Sequence, residues 1–478
     1  MGLTPVFQLI SIMFYIIIYK LSNSSHKLLN LVYNTRFFCY NINGCELMNN
    51  KKQDNWYKLD NAAKIYPAII GKKDSGVFRV SANLNNFIIP DILGQALIDL
   101  KHRFPSMYVK LKKGLFWYYF EKNERIPIVK KETPYINELI DVSKNNNYLF
   151  TLFYYNNRIS LECFHSLCDG YGAIEFLKAI VFRYLELLGN KINSEDKVLT
   201  INQKVMEEEI EDSFKKNFTS KVIKHNKVDK AYHIRDIHFP HYYNTGIISG
   251  KINTNKLLFL ARKSNATITE YLAALLTYSV YESYRNDNFK KKVKPINISI
   301  PVNMRRFFNS KTLRNFSLFF YTSVDINKRN LKFNDILNKV KKNFKKEIDK
   351  DKLQSNLNSN VGAEKNFFMK ITPLFLKNIL LRIASNILGN SLSTMTLSNL
   401  GNIDIPKSMK NYIKDMKIIL GSNYSQTNSV GVISCNEITT ISFSRTIFDT
   451  CIEQTFFRFL AKEGLSVEIE SNMIENYL

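Results

Sequence analysis

The residues most able to do chemistry stand together at His165-Ser166-Leu167-Cys168-Asp169-Gly170, with Gly172 just beyond. An imidazole with an ordinary pKa near 6.5 can take and return a proton at neutral pH. Within hydrogen-bond reach of a hydroxyl, a neutral imidazole can act as a general base. A carboxylate four residues later, in a tight turn, can brace the backbone or tie it to another part of the fold. The glycines permit close approach of other groups. An isolated histidine is more often a buried structural residue than a catalytic one. Here the Asp-Gly pair and the setting, a strand end running into a helix, favour chemistry.

Other constellations are weaker. His233, His238 and His241 are loosely spaced, with only Asp236 as a nearby carboxylate, so they read as connector residues and no metal site is expected. No glycine-rich phosphate loop and no zinc-finger pattern is present. Six cysteines occur without a CxxC pair, which favours a reducing compartment and a cytoplasmic location.

The elements that must hold His165 can be read from periodicity. Residues 76–84 read as a strand, and Pro90 opens an amphipathic helix that Phe104-Pro105 stops. Two strands follow near 108–111 and 116–121. Residues 148–155 and 158–164 flank Asn156-Asn157 as a hairpin whose second strand delivers His165. A helix over 171–188 ends at Gly189-Asn190. After the polar stretch 192–244, strands are expected at 246–252, 293–302, 394–400, 415–422, 429–434 and 438–444. Thr267 and Glu270 form a capping box for a helix ending near Tyr284. Ile336, Val340, Phe344 and Ile348 mark another helix, and 452–463 a last one. The apolar stretch 367–388 reads as a core helix of the second half, with membrane-surface binding as the alternative.

Strands and helices mix in both halves of the 478 residues, which argues for an α/β chain of two lobes. The expected division is 48–200 for the N-terminal lobe, 201–244 for a connector and 245–478 for the C-terminal lobe. Residues 1–47 stand apart. Val6–Tyr19 is apolar but shorter than the roughly 20 residues of a span, and Met48 opens a segment that reads like the start of a soluble domain. Upstream sequence translated from a misplaced start is the preferred reading of 1–47, ahead of a membrane anchor or a cleaved signal.

Apolar residues make up 45% of the chain and charged ones 23%, and 34 Phe and 26 Tyr can build a large core. This composition excludes a mainly disordered, collagenous or multi-span membrane protein. The net charge of +25 attracts polyanions but does not choose among nucleic acid, an anionic membrane and a phosphorylated co-substrate. No nucleic-acid partner is expected.

HxxxDG at a strand end resembles the signature of the chloramphenicol-acetyltransferase-like superfamily. That group includes plant and alcohol acyltransferases, polyketide-associated acyltransferases and peptide-synthetase condensation domains. YKLDNAAKIYP (57–67), KHRFP (101–105), PVNMR (301–305) with Arg314-Asn315 downstream, and SNLG (398–401) fit in the expected order. The resemblance spans about residues 55–470 and is strongest to the alcohol acetyltransferases. Condensation domains usually carry a second His before the catalytic one. Phe164 stands there instead, which puts peptide-bond formation in doubt.

The resemblance implies a pseudo-dimer of two α/β lobes with an active-site tunnel between them. His165 would be the base, with Asp169 and Gly170 shaping the turn. Asp169 would pair with Arg305, Arg103 being the second choice. Ser398 and Asn399 would donate to an oxyanion or hold a turn. Cys168 as a nucleophile is outweighed by its reading as filler inside the motif. The implied activity is transfer of an acyl group, acetyl by default, from a coenzyme A thioester to a small-molecule alcohol, with no permanently bound cofactor. The alternatives are a carrier-protein-dependent condensing enzyme and a non-catalytic binding protein of the same fold.

Overall fold

The computed structural model describes residues 56–71, 74–222, 228–240, 245–286, 293–327 and 330–473. The apolar run 6–19, Met48 and His241 lie outside them.

Each lobe is a mixed sheet with helices packed on it. The first sheet contains β2 (Val77–Leu84), β5 (Val129–Lys131), β6 (Phe150–Tyr155), β7 (Arg158–Phe164) and β12 (Ile413–Ile419), in the order β12-β2-β7-β6-β5. A small sheet beside it has the order β1-β4-β3, from Trp56–Lys58, Tyr118–Lys122 and Val109–Lys113. Among the described residues the second lobe's sheet holds seven strands: β8 (Gly246–Asn253), β9 (Ile296–Asn303), β10 (Ser317–Val324), β11 (Met395–Asn402), β13 (Asn428–Cys435), β14 (Ile438–Arg445) and β15 (Glu468–Ser471). Their order is β10-β9-β11-β13-β14-β8-β15.

Period-two alternation gives β2 two unlike faces. Phe78, Val80, Ala82 and Leu84 enter the core with the helix Gly170–Leu187. The opposite face is polar and buried. Arg79 pairs with Glu162 on β7 at 2.7 Å, Ser81 meets the Ser160 hydroxyl at 2.9 Å, and Asn83 donates to Asp415 on β12. Asp415 in turn lies 3.1 Å from Lys251 on β8, so this polar layer joins the lobes.

β12 does not follow chain order. It leaves the second half of the chain and pairs antiparallel with β2, from Ile413 opposite Leu84 to Ile419 opposite Arg79. On its other side it presses against β13, where a Cβ on Gly431 would lie 2.6 Å from the Ile418 carbonyl oxygen. In the second lobe the helices Ile268–Asn286, Phe333–Glu347 and Cys451–Lys462 cover the sheet, burying Leu272, Ile336 and Phe456 against Ile298, Val430 and Phe443.

The hairpin, the helix after it and the capping box stand where the sequence put them. Asn156 turns with φ +49° and Gly189 ends the helix with φ +83°. Thr267 and Glu270 bond each other's backbone N–H reciprocally.

The stretch 367–388 departs from expectation. Pro373 has no N–H to continue a helix, and the stretch divides into the helices Phe367–Ile371 and Leu374–Ala384. Nor does it join the second lobe's core. The Leu374 N–H donates to the Leu115 carbonyl at 2.9 Å, and Lys377 donates to the Phe116 carbonyl at 2.8 Å with its ammonium over the Trp117 ring. Met369, Leu380, Leu381 and Ala384 thus form a separate small cluster on the first lobe with Ala68. Burial lowers the Lys377 pKa to about 7. Among the described residues, no helix is long and apolar enough to cross a membrane.

Candidate active site

β7 ends at Phe164 and the helix Gly170–Leu187 begins six residues later, so the motif is the turn between them. The His165 N–H donates to the Gly76 carbonyl at 2.8 Å, which fixes the turn against the neighbouring strand end. The imidazole is half-buried. It stacks on Tyr66 with ring centres 4.4 Å apart and planes 9° apart, and Phe78 packs at 5.1 Å.

One hydrogen bond assigns the tautomer. His165 Nδ1 lies 3.1 Å from Asn315 Oδ1. The Asn315 amide nitrogen faces the carboxylate of buried Asp60 at 3.4 Å, so its oxygen is the atom turned to the ring. An amide oxygen only accepts, so Nδ1 carries the proton and Nε2 keeps the lone pair. Burial pushes the imidazole pKa below its ordinary value, against smaller opposing contributions from its own carbonyl, Asp169 and Asn315. Burial therefore favours the neutral form of the ring.

Asp169 points away from this chemistry. Its carboxylate caps the helix by accepting from the Gly172 N–H at 3.2 Å. Arg305 reaches it from the other lobe with two donors, at 2.8 and 3.2 Å. The Phe316 N–H at 2.9 Å and the Ser317 hydroxyl at 2.8 Å complete the set. Burial alone would raise this carboxyl, but the Arg305 guanidinium and these donors outweigh it and hold the pKa below the ordinary value. Arg305 also donates to the Thr312 carbonyl at 2.8 Å and lies over the Tyr171 ring. Arg103 is committed elsewhere, clamping Glu209 of the connector at 2.6 and 2.8 Å.

The two motif glycines differ. A Cβ on Gly170 would come within 2.8 Å of the tip of Leu400, a movable side chain. A Cβ on Gly172 would fall 1.9 Å from the Leu313 carbonyl oxygen, which is backbone from the other lobe. Gly172 therefore sets the spacing between the lobes beside the site.

His165 lines a cavity of about 1080 Å³ between the lobes. Tyr66, Asp74 and Tyr171 contribute from one side, Thr267, Ser398 and Asn399 from the other. The Asn399 amide donates to Thr269 at 3.0 Å, and its oxygen accepts from the Gly401 N–H at 2.8 Å, so its side chain holds a turn. Ser398 shares no side-chain hydrogen bond with the described residues and is free to meet a ligand. Cys168 is fully buried, and hydrogen bonding to Cys163 together with burial holds its thiol well above the ordinary pKa. It cannot supply a thiolate at neutral pH. His238 stacks on Tyr424, and the described residues contain no cluster able to hold a metal ion.

Asn315, Asp60, Tyr66 and Phe78 were not read as site residues from the sequence. Asn315 lies 150 positions from His165, and no local pattern announces such a partner. Its place beside Arg314, ten residues past Arg305, was the one usable signal.

No protein-family model and no curated protein matches the sequence. Solved structures do match. The trichothecene 15-O-acetyltransferase TRI3 of Fusarium sporotrichioides superposes with a TM-score of 0.55 at 10% identity, covering 85% of this chain and 94% of that one. TRI101 of the same organism, complexed with coenzyme A and T-2, gives 0.53 at 10% identity over 87% of this chain and 100% of its own. The starter condensation domain of rhizomide synthetase, with C8-CoA and Leu-SNAC, gives 0.51 at 12% identity over 85% and 93%. The chain thus shares the two-lobed fold of these acetyltransferases and this condensation domain.

Proposed function

We propose that this protein transfers an acyl group, acetyl by default, from a coenzyme A thioester to an alcohol, with His165 as general base. The observation that carries the reading is the Nδ1 contact to Asn315, which leaves Nε2 as the basic nitrogen of a ring lining an open cavity. The alcohol proton passes to Nε2 as its oxygen attacks the thioester carbon. The carbon–sulfur bond of the tetrahedral intermediate then breaks, and the proton on Nε2 passes to the departing thiolate. Thiols with pKa values around 8–9 leave without a stronger acid. Ser398 is the side chain we assign as a donor to the oxyanion, and each such donor is typically worth about 3–4 kcal/mol. Asp169, Gly170 and Arg305 border the cavity too, and the role assigned to them here is to hold the turn.

The ligands of the structural neighbours, coenzyme A in one and C8-CoA in another, support a coenzyme A thioester as co-substrate here. The condensation-domain likeness keeps a carrier-bound donor as the second reading, against which Phe164 stands in the place of a second histidine. Four described cysteines, all unpaired, support a cytoplasmic location.

The test is a donor-by-acceptor screen followed by free-thiol release. Acyl-CoA should be consumed in an acceptor-dependent way, and His165→Ala should lose about 10²–10⁴-fold of that rate. Wild-type turnover by a folded His165→Ala protein sinks the reading. Turnover with acyl-carrier protein but not with free acyl-CoA moves it to the carrier-dependent class.

A further inference from the structure

The helix Leu374–Ala384 is apolar on both sides, and one side is open. At about 100° per residue, Leu374, Lys377, Leu380, Leu381 and Ala384 share the buried face. Phe375, Leu376, Ile379 and Ile383 fall within a separate arc of about 100° and are exposed, Phe375 by 64% and Ile379 by 55%. An amphipathic surface helix ordinarily carries polar residues there. The preceding turn of helix adds Phe367, Phe368 and Ile371, with Phe367 61% exposed. Leu115, 63% exposed, extends the patch, because its carbonyl accepts from the Leu374 N–H. Clustered apolar exposure of this kind marks an interaction surface.

Charge selects the partner. Between Glu364 and Asp404 the chain has no acidic residue. Glu364 itself is half-buried and bonded to Lys64 and Lys215. Lys365, Lys370 and Arg382 are exposed within or beside the apolar arc, and Lys112 and Lys113 are exposed at the end of β3, just before Leu115. The adjoining cleft of about 940 Å³, whose wall residue Tyr118 accepts from Asn378 of the same helix, is mixed in charge, with Lys110 and Lys122 paired to Glu121 and Glu124, so the basic fringe ends at Lys112 and Lys113. We propose that this face, helices 367–384 with the hairpin tip at Leu115, docks on the surface of an anionic lipid bilayer. The aromatic and aliphatic side chains enter the boundary between headgroups and acyl chains while the lysines meet the headgroup charge. The surface is independent of the chemistry at His165.

The test is co-sedimentation of the full chain with vesicles of phosphatidylcholine alone and of phosphatidylcholine with 30% phosphatidylglycerol. Binding is expected to the anionic vesicles and to fall with added salt. The pair Phe375→Asp and Ile379→Asp, both at solvent-exposed positions, should weaken it at least about tenfold with an unchanged circular dichroism spectrum. The pair Lys113→Gln and Lys370→Gln should weaken it about twenty-fivefold, near fivefold for each lysine. Undiminished binding by the aspartate variant overturns the proposal and moves the contact elsewhere, for example to residues 6–19. Equal binding to neutral vesicles, or none to either, overturns it too. So does self-association of the wild type that the aspartate variant abolishes, because the face is then covered by a second copy.

Discussion

Replacing Asn315 tests the tautomer on which the chemistry depends. In the proposed mechanism His165 becomes an imidazolium in the transition state, so its Nδ1–H bond to Asn315 would become charge-assisted. Hydrogen bonds to charged groups contribute about 1.5–3 kcal/mol. The histidine's own carbonyl also stabilises the protonated ring, so the lower figure applies. Asn315→Leu should therefore lower kcat about tenfold, with little change in KM because Asn315 does not line the cavity. A pH profile separates this from general damage. The neutral ring is the active form, and burial places its pKa below 6.5, so kcat/KM should fall on the acid side only below that value. The Asn315 bond raises the pKa, so Asn315→Leu should move the acid limb lower still. Asn315→Asp puts a negative charge beside the ring, favours imidazolium and should move the limb to higher pH. Assays use thiol release from pH 5 to 8. If both variants kept the wild-type limb, the assignment of the Nδ1 proton would be wrong.

The glycine contrast is a second expectation. Gly172→Ala must push backbone apart and should cost about 3 kcal/mol or more, whereas Gly170→Ala meets a side chain that can rotate and should cost about 1 kcal/mol. Urea melts that reverse this order would refute the lobe-spacing role of Gly172. Arg305→Met leaves the Asp169 carboxylate buried without its cation and should cost about 3–5 kcal/mol near neutral pH. The pH sign follows from the depressed pKa of Asp169. Its contribution is present above the ordinary carboxylate range and is lost as pH falls through the folded value. The deficit of Arg305→Met should thus shrink toward acid, because a protonated Asp169 needs no partner, and a deficit independent of pH would count against the pair.

Local signals exposed the turn, and long-range ones were hidden. Strand, turn and helix around His165 are contiguous, so periodicity and the Asn156-Asn157 and Gly189 breakers placed them. Arg305 came from a motif at a second strand end, and the structure puts it 2.8 Å from Asp169. The helix Lys350–Lys365 escaped because its apolar stripe is thin: only Leu353, Leu357 and Val361 are buried apolar residues, while Asn356, Asn358 and Asn360 also turn inward and Asn358 bonds Thr219 and the Lys221 carbonyl. Buried polar residues on the same helix dilute the periodic signal. β10 was missed for the opposite reason, since SLFFYTSV shows no alternation that separates a strand from buried helix. The stretch 367–388 misled because apolar composition does not reveal which lobe receives it.

The crossing of β12 into the first sheet bears on how reactants come and go. A two-lobed protein can engulf its ligand by swinging open, but here a strand from one half is hydrogen-bonded along residues 79–84 of the other and wedged at Gly431. Opening like a jaw would unzip a sheet. Access to the cavity at His165 is therefore expected with that strand still in its sheet, the two halves staying stitched together while a ligand enters.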